Sequence, residues 1–205
     1  MTRTLTGLYD TYTDAQSAVH ELEAAGISSG DISVVANRPG GNGTHHVKEG
    51  NEAAPGAEAG AAFGAIIGGG GGLLAGLGML AIPGVGPVVA AGWLVATLAG
   101  AAGGAAVGGA GGGLIGAMVG NGVPEEDAQV YAEGVRRGGT MVTVRVDNNH
   151  AETADAILHR HHSVNAVERR RIYTAGGWSR FDETAPAYNP ADAEIERVRR
   201  ANQVI

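Results

Sequence analysis

The sequence predicts an α+β fold: a ferredoxin-like βαβ-βαβ sandwich interrupted by a long glycine-rich apolar helical hairpin. Three observations predict it. A strand-helix-strand pattern opens the chain and returns near its other end. No charged residue occurs between Ala59 and Gly120. Around and within that stretch glycine recurs every fourth position, in one row of Gly56, Gly60, Gly64, Gly68, Gly72 and Gly76 and a second of Gly100, Gly104, Gly108, Gly112, Gly116 and Gly120.

Residues 1–36 read as the first half of the sandwich. Leu5 to Tyr9 is a β-prone run. Thr13 with Gln16 has capping-box spacing, and Ala15, Ala18, Val19, Leu22 and Ala25 follow at helical intervals up to the stop at Gly26. Ile32 to Ala36 is the second strand. Residues 37–56 are polar and glycine-rich and read as a flexible linker.

Residues 57–121 read as a glycine-zipper hairpin with helical arms near 57–82 and 88–121. The reversal is placed at Pro83, Gly84, Gly86 and Pro87, because proline cannot continue a helix and glycine permits a tight turn. Residues 122–139 form a connecting helix, with Pro124 in its first turn, Glu125, Glu126 and Asp127 at its positive end, and Arg136 and Arg137 before Gly138.

Residues 140–175 repeat the first plan. Met141 to Val146 is a strand, Asn149 with Glu152 a cap, and Ala154, Ile157 and Leu158 an inner helix face. Val164 to Arg171 reads as the closing strand. The two halves share one core, with both helices on one face of four strands. Residues 176–205 are an extended tail with a short C-terminal helix. Trp178, Phe181 and Tyr188 are its possible docking residues, on a neighbouring subunit or on the chain's own domain.

A glycine inside a helix costs about 1 kcal/mol relative to alanine, so the rows need a compensating gain. Close approach of helix backbones supplies one, and the i±4 ridge is the surface on which such contact occurs. In the first arm Phe63, Ile66, Ile67, Leu73, Leu74, Leu77 and Leu80 lie on the arc opposite the glycines. Self-association is therefore the expected partnership. Each arm exceeds the ~20 residues that span a bilayer core, which makes membrane lipid the expected surrounding and places both termini in the cytoplasm. The alternative is a soluble cytoplasmic cage, ring or filament whose hairpins form a protein-enclosed core.

Composition removes other classes. The net charge of −7 argues against nucleic acid. Absence of cysteine excludes disulfides and thiol chemistry. His159, His161 and His162 sit with Arg160 at a helix end, and His45 and His46 lie in the linker. Adjacent histidines on a helix diverge, so no metal site is assigned. The glycine run Gly68 to Gly72 lacks the Lys-Ser/Thr of a phosphate loop, and no serine has an evident base. No catalytic residue and no cofactor is expected, and the chain reads as a non-enzyme. A ligand- or metal-binding module is a further alternative, its small molecule unknown.

Several motifs point to a family. Gly7-Leu8-Tyr9-Asp10, Ala15 to Gly26 and Asp31-Ile32-Ser33-Val34-Val35 carry the likeness, with Ala81 to Pro87 and Gly122-Val123-Pro124-Glu125-Glu126 beyond them. Over most of residues 4–146 the chain resembles the YflT-like general stress protein family. The resemblance implies stress-associated expression and no established enzymatic activity. The expected function is thus that of a non-enzymatic, self-assembling stress protein.

Overall fold

The computed structural model describes residues 2–37, 78–82, 84–94, 97 and 113–185. Five strands form one antiparallel sheet: β1 (Thr2–Tyr9), β2 (Ile32–Ala36), β3 (Gly78–Ile82), β4 (Gly86–Gly92) and β5 (Thr140–Asp147). Their spatial order is β1-β5-β2-β4-β3. Among the described residues these helices accompany them: α1 (Tyr12–Ala24), α2 (Leu114–Val119), α3 (Glu125–Arg136), α4 (Ala151–Arg160) and α5 (Ala166–Ala175).

The mixed α+β class agrees with the sequence. The order β1-β5-β2 follows the interleaving that a ferredoxin-like sandwich gives its first, third and second strands. The fourth strand is not found among the described residues. Residues Val164 to Arg171 do not extend beside β1; Ala166–Ala175 is helical. Asn165 caps that helix, its side-chain oxygen accepting from the Glu168 amide at 3.0 Å. Arg169 and Tyr173, four residues apart, are its buried positions. A helix brings that pair to one face while leaving Arg171 toward water; on a strand Arg171 would share their face.

The apolar midpoint differs too. Residues 78–82 and 88–92, expected in helical arms, lie in β3 and β4, and Gly86 and Pro87, expected in the reversal, begin β4. The chain does reverse between them. The Val85 amide donates to the Ile82 carbonyl at 3.0 Å, and Gly84 sits at φ +74. The hairpin is a β-hairpin because Ile82, Val85, Val88 and Val89 surround the turn, and branched side chains suit a pleated, buried surface. Within the rest of the second arm α2 is helical. Most of the glycine-rich segment lies outside the described residues.

Both faces of the sheet are covered, not one. Ile32, Val34, Val89, Ala91, Val142, Val144 and Val146 join α1 and α4 in a first core. Leu8, Val35, Val88, Ala90 and Met141 join α2, α3 and Phe181 in a second. The alternation along β2, β4 and β5 sends neighbouring residues to opposite cores. Every residue of β2 is buried, which requires a layer on each side.

Two caps are shifted. Thr11, not Thr13, caps α1, accepting from the Asp14 amide at 3.1 Å. Before α4, the Asp147 carboxylate accepts from the amides of Asn149 and His150, both at 3.0 Å, in place of a cap by Asn149.

Candidate functional site

The densest chemistry lies where α3, α5 and the segment that follows α5 meet. Glu133 on α3 is fully buried. It is held by its own helix: Arg136 Nε and Nη2 donate to its two oxygens at 2.8 and 2.7 Å, and Arg137 Nε donates at 2.5 Å. A buried carboxylate persists only with such compensation. The Arg137 guanidinium lies 4.3 Å above the Tyr173 ring. Trp178 meets the same ring edge-on at 5.6 Å.

Past α5 the chain turns back over α3. Phe181 is buried in the second core, and Asp182 Oδ1 orders the next turn by accepting from the Thr184 amide at 2.8 Å. The Thr184 hydroxyl, which also donates to Oδ1, lowers the Asp182 carboxyl below the ordinary carboxylate range, with the amide hydrogen bond adding to it. Between α3 and residues 177–185 is a partly open cavity of about 670 Å³, lined among others by Gln129, Glu133, Arg136, Trp178, Phe181 and Glu183. Its walls mix carboxylates, guanidinium groups and indole. They offer polar contacts, and Glu133 and Arg136 already satisfy one another there. So Trp178 and Phe181 of the tail dock on the chain's own domain. Tyr188 lies outside the described residues.

The histidines scatter into separate acid pairs. His161 Nε2 meets Glu21 Oε2 at 2.5 Å, beside Arg160, which pairs with the same carboxylate. His159 Nδ1 is 2.8 Å from the Asp155 carbonyl and 3.5 Å from its carboxylate, and His162 Nδ1 is 3.8 Å from Asp14. Among the described residues no three His, Cys, Asp or Glu side chains are placed to hold a metal ion. His45 and His46 lie outside them.

Of the glycine rows, two members are described. Gly116 is half-buried in α2 and Gly120 is exposed just past it, while Leu114, Ala117 and Met118 of that helix enter the second core. Gly56, Gly60, Gly64, Gly68, Gly72, Gly76, Gly100, Gly104, Gly108 and Gly112 lie outside the described residues, as does Pro83. Gly84 is in the turn, and Gly86 and Pro87 begin β4.

The opening segment carries a family likeness. Residues 4–82 match the family model described as the heat induced stress protein YflT domain. Over those residues the chain is similar to that family. No curated protein and no solved structure matches the chain. The YflT match ends at Ile82, the last residue of β3. Yet β1 and β2 are not paired with each other; β5, far outside the match, pairs with both. The matched segment therefore completes its sheet only with residues 140–147. The family description names a stress protein and no enzymatic activity.

Sequence reasoning missed the Glu133 cluster. Its signal was present as a glutamate followed at i+3 and i+4 by arginines, a spacing that closes ion pairs on a helix.

Proposed function

We propose that this stress-response protein is a non-catalytic, self-assembling one, whose glycine-rich segments pack against each other and against neighbouring copies in a protein-enclosed core. The observation that carries this reading is where the two segments are fastened. The first enters the sheet at Gly78, which pairs with Ala90; the second leaves after Gly92, two residues on. Adjacent strands lie about 4.8 Å apart, so the two segments begin side by side. Segments fastened side by side can bring glycine rows into contact at low steric cost, which would leave their bulky faces for other copies.

The same anchoring weighs against the bilayer. Asn37 donates through Nδ2 to the carbonyls of Val85 and Arg136, and Gly78 belongs to the same sheet. A segment with both ends in one folded unit crosses a membrane an even number of times. Two crossings need about 40 apolar residues. The charge-free part of the first segment, 59–77, has 19 residues, and 98–112 has 15. Among the described residues no helix is long and apolar enough to cross a membrane.

The test is a pair of variants, Gly68→Leu and Gly108→Leu, sized by light scattering without detergent. Each is expected to shrink the particle while the YflT sheet stays folded by circular dichroism. Unchanged size in both variants overturns the reading.

A further inference from the structure

Among the described residues no strand lies outside β1, and its outer edge is open there. Two hydrogen bonds reveal its polarity. Leu8 O accepts from the Val164 amide at 2.7 Å, and Thr6 O accepts from the Tyr131 hydroxyl at 3.4 Å. Backbone groups alternate sides along a strand. The even residues of β1 thus turn their N–H and C=O away from β5, and the odd ones bond to it. Val164 and Tyr131 cap the upper part of the edge. Among the described residues nothing pairs with the amides and carbonyls of Thr2 and Thr4, or with the amide of Thr6.

We propose that this edge pairs with the β1 edge of a second copy, antiparallel, about a twofold axis at Thr4. The open stretch, Thr2 to Thr6, is centred on Thr4, so this register satisfies each open group. Thr4 exchanges two hydrogen bonds with its own copy, and Thr2 exchanges two with Thr6 at each end. One face then carries threonine opposite threonine throughout, a favourable cross-strand pair. On the other, exposed Arg3 lies opposite half-buried Leu5, so no like charges meet and the arginine stem covers the leucine. The stretch has no proline, lysine or bulge, the devices that block edge pairing. Two five-stranded sheets would join into one of ten. An isologous contact of this kind closes as a dimer.

The absence of cysteine gives a clean test in the full-length chain. Residues facing each other in a hydrogen-bonded pair have Cα atoms about 5.5 Å apart, within disulfide reach. Thr4→Cys is expected to oxidise mainly to a covalent dimer on a non-reducing gel. Thr6→Cys alone is expected to link at least tenfold less, whereas a mixture of Thr2→Cys and Thr6→Cys chains links as a heterodimer. Thr4→Pro removes an amide that β5 does not use, so it is expected to weaken pairing at least tenfold while the sheet's circular dichroism is retained. Repeating Thr4→Cys with Gly68→Leu separates this contact from assembly through the glycine rows; cross-linking should persist. A Thr4→Cys chain that stays monomeric, or a Thr6→Cys chain that links as readily, overturns the pairing. A β1 that takes up an unrelated peptide gives the first of these results.

Discussion

Arg169 grips Asp10 with both arms of its guanidinium, Nη1 to Oδ1 at 2.9 Å and Nη2 to Oδ2 at 2.6 Å. The contact ties the residue after β1 to α5, across 159 positions of chain. Burial opposes the arginine's charge, but the hydrogen bonds and charge of Asp10, with Tyr173, outweigh it and raise its pKa above the ordinary value. This clamp fixes the helix that stands where a fourth strand was expected.

Breaking the clamp from the acid side strands a cation that is only 7% exposed. Asp10→Ala is expected to cost about 2–3 kcal/mol, the low end for a broken buried pair because Asp10 itself is one-third exposed. Arg169→Met, which removes the charge and keeps the stem, costs less. Urea denaturation of the three chains checks the order.

Glu133 is the harsher case, with two arginines depending on one carboxylate of 1% side-chain exposure. Glu133→Ala is expected to cost about 3–4 kcal/mol and to loosen Arg137 from Tyr173. Loss of near-ultraviolet circular dichroism from Tyr173 and Trp178 reports the second effect.

Alkali should unfold the protein through its tyrosines. Burial, aided by Asp127, pushes the Tyr131 hydroxyl up to about 12, and burial raises Tyr9 and Tyr12 as well. The folded state thus holds these protons more tightly than the unfolded chain, whose tyrosines titrate near 10. The stabilisation is complete below pH 10 and is lost as pH rises through 10 toward 12. Each group adds a slope of up to about 1.4 kcal/mol per pH unit. Melting temperature against pH checks it, with Tyr131→Phe expected to decline less steeply.

Two glycines separate backbone conformation from close approach. Gly26 and Gly92 have φ of +85 and +89. A β-carbon on Gly26 meets nothing within 4 Å, so Gly26→Ala is expected to cost about 1 kcal/mol from backbone strain alone. At Gly92 it would collide with the Ile32 carbonyl and Ser33 Cα of β2. Gly92→Ala is expected to cost about 3 kcal/mol or more and to spring β4 from β2. Thermal melts of both variants decide between the two costs.

Local patterns carried much of the fold. β1, α1 and β2 follow from alternation and helical spacing, and Pro124 with three acids marks the start of α3. The reversal near Gly84 was legible because turn chemistry is local. Its partners were not: whether Val88 and Val89 belong to a helix or a strand depends on β2 lying beside them, a contact about 50 residues away. Arg169 and Tyr173 misled for a similar reason. A run of three arginines among branched residues suits a strand edge until Asp10 and Arg137 supply partners for a helix face. The α3 cluster was written in Glu133, Arg136 and Arg137, but the cavity beside it needs the return of residues 177–185, which no periodicity announces.

Fractionation of native cells, followed by detergent-free sizing of the soluble portion, tests the central claim most directly. Assembly in a protein-enclosed core predicts release by alkaline extraction and a single particle of several 20.5 kDa chains. Retention in the extracted membranes, or a detergent-free monomer, would contradict it.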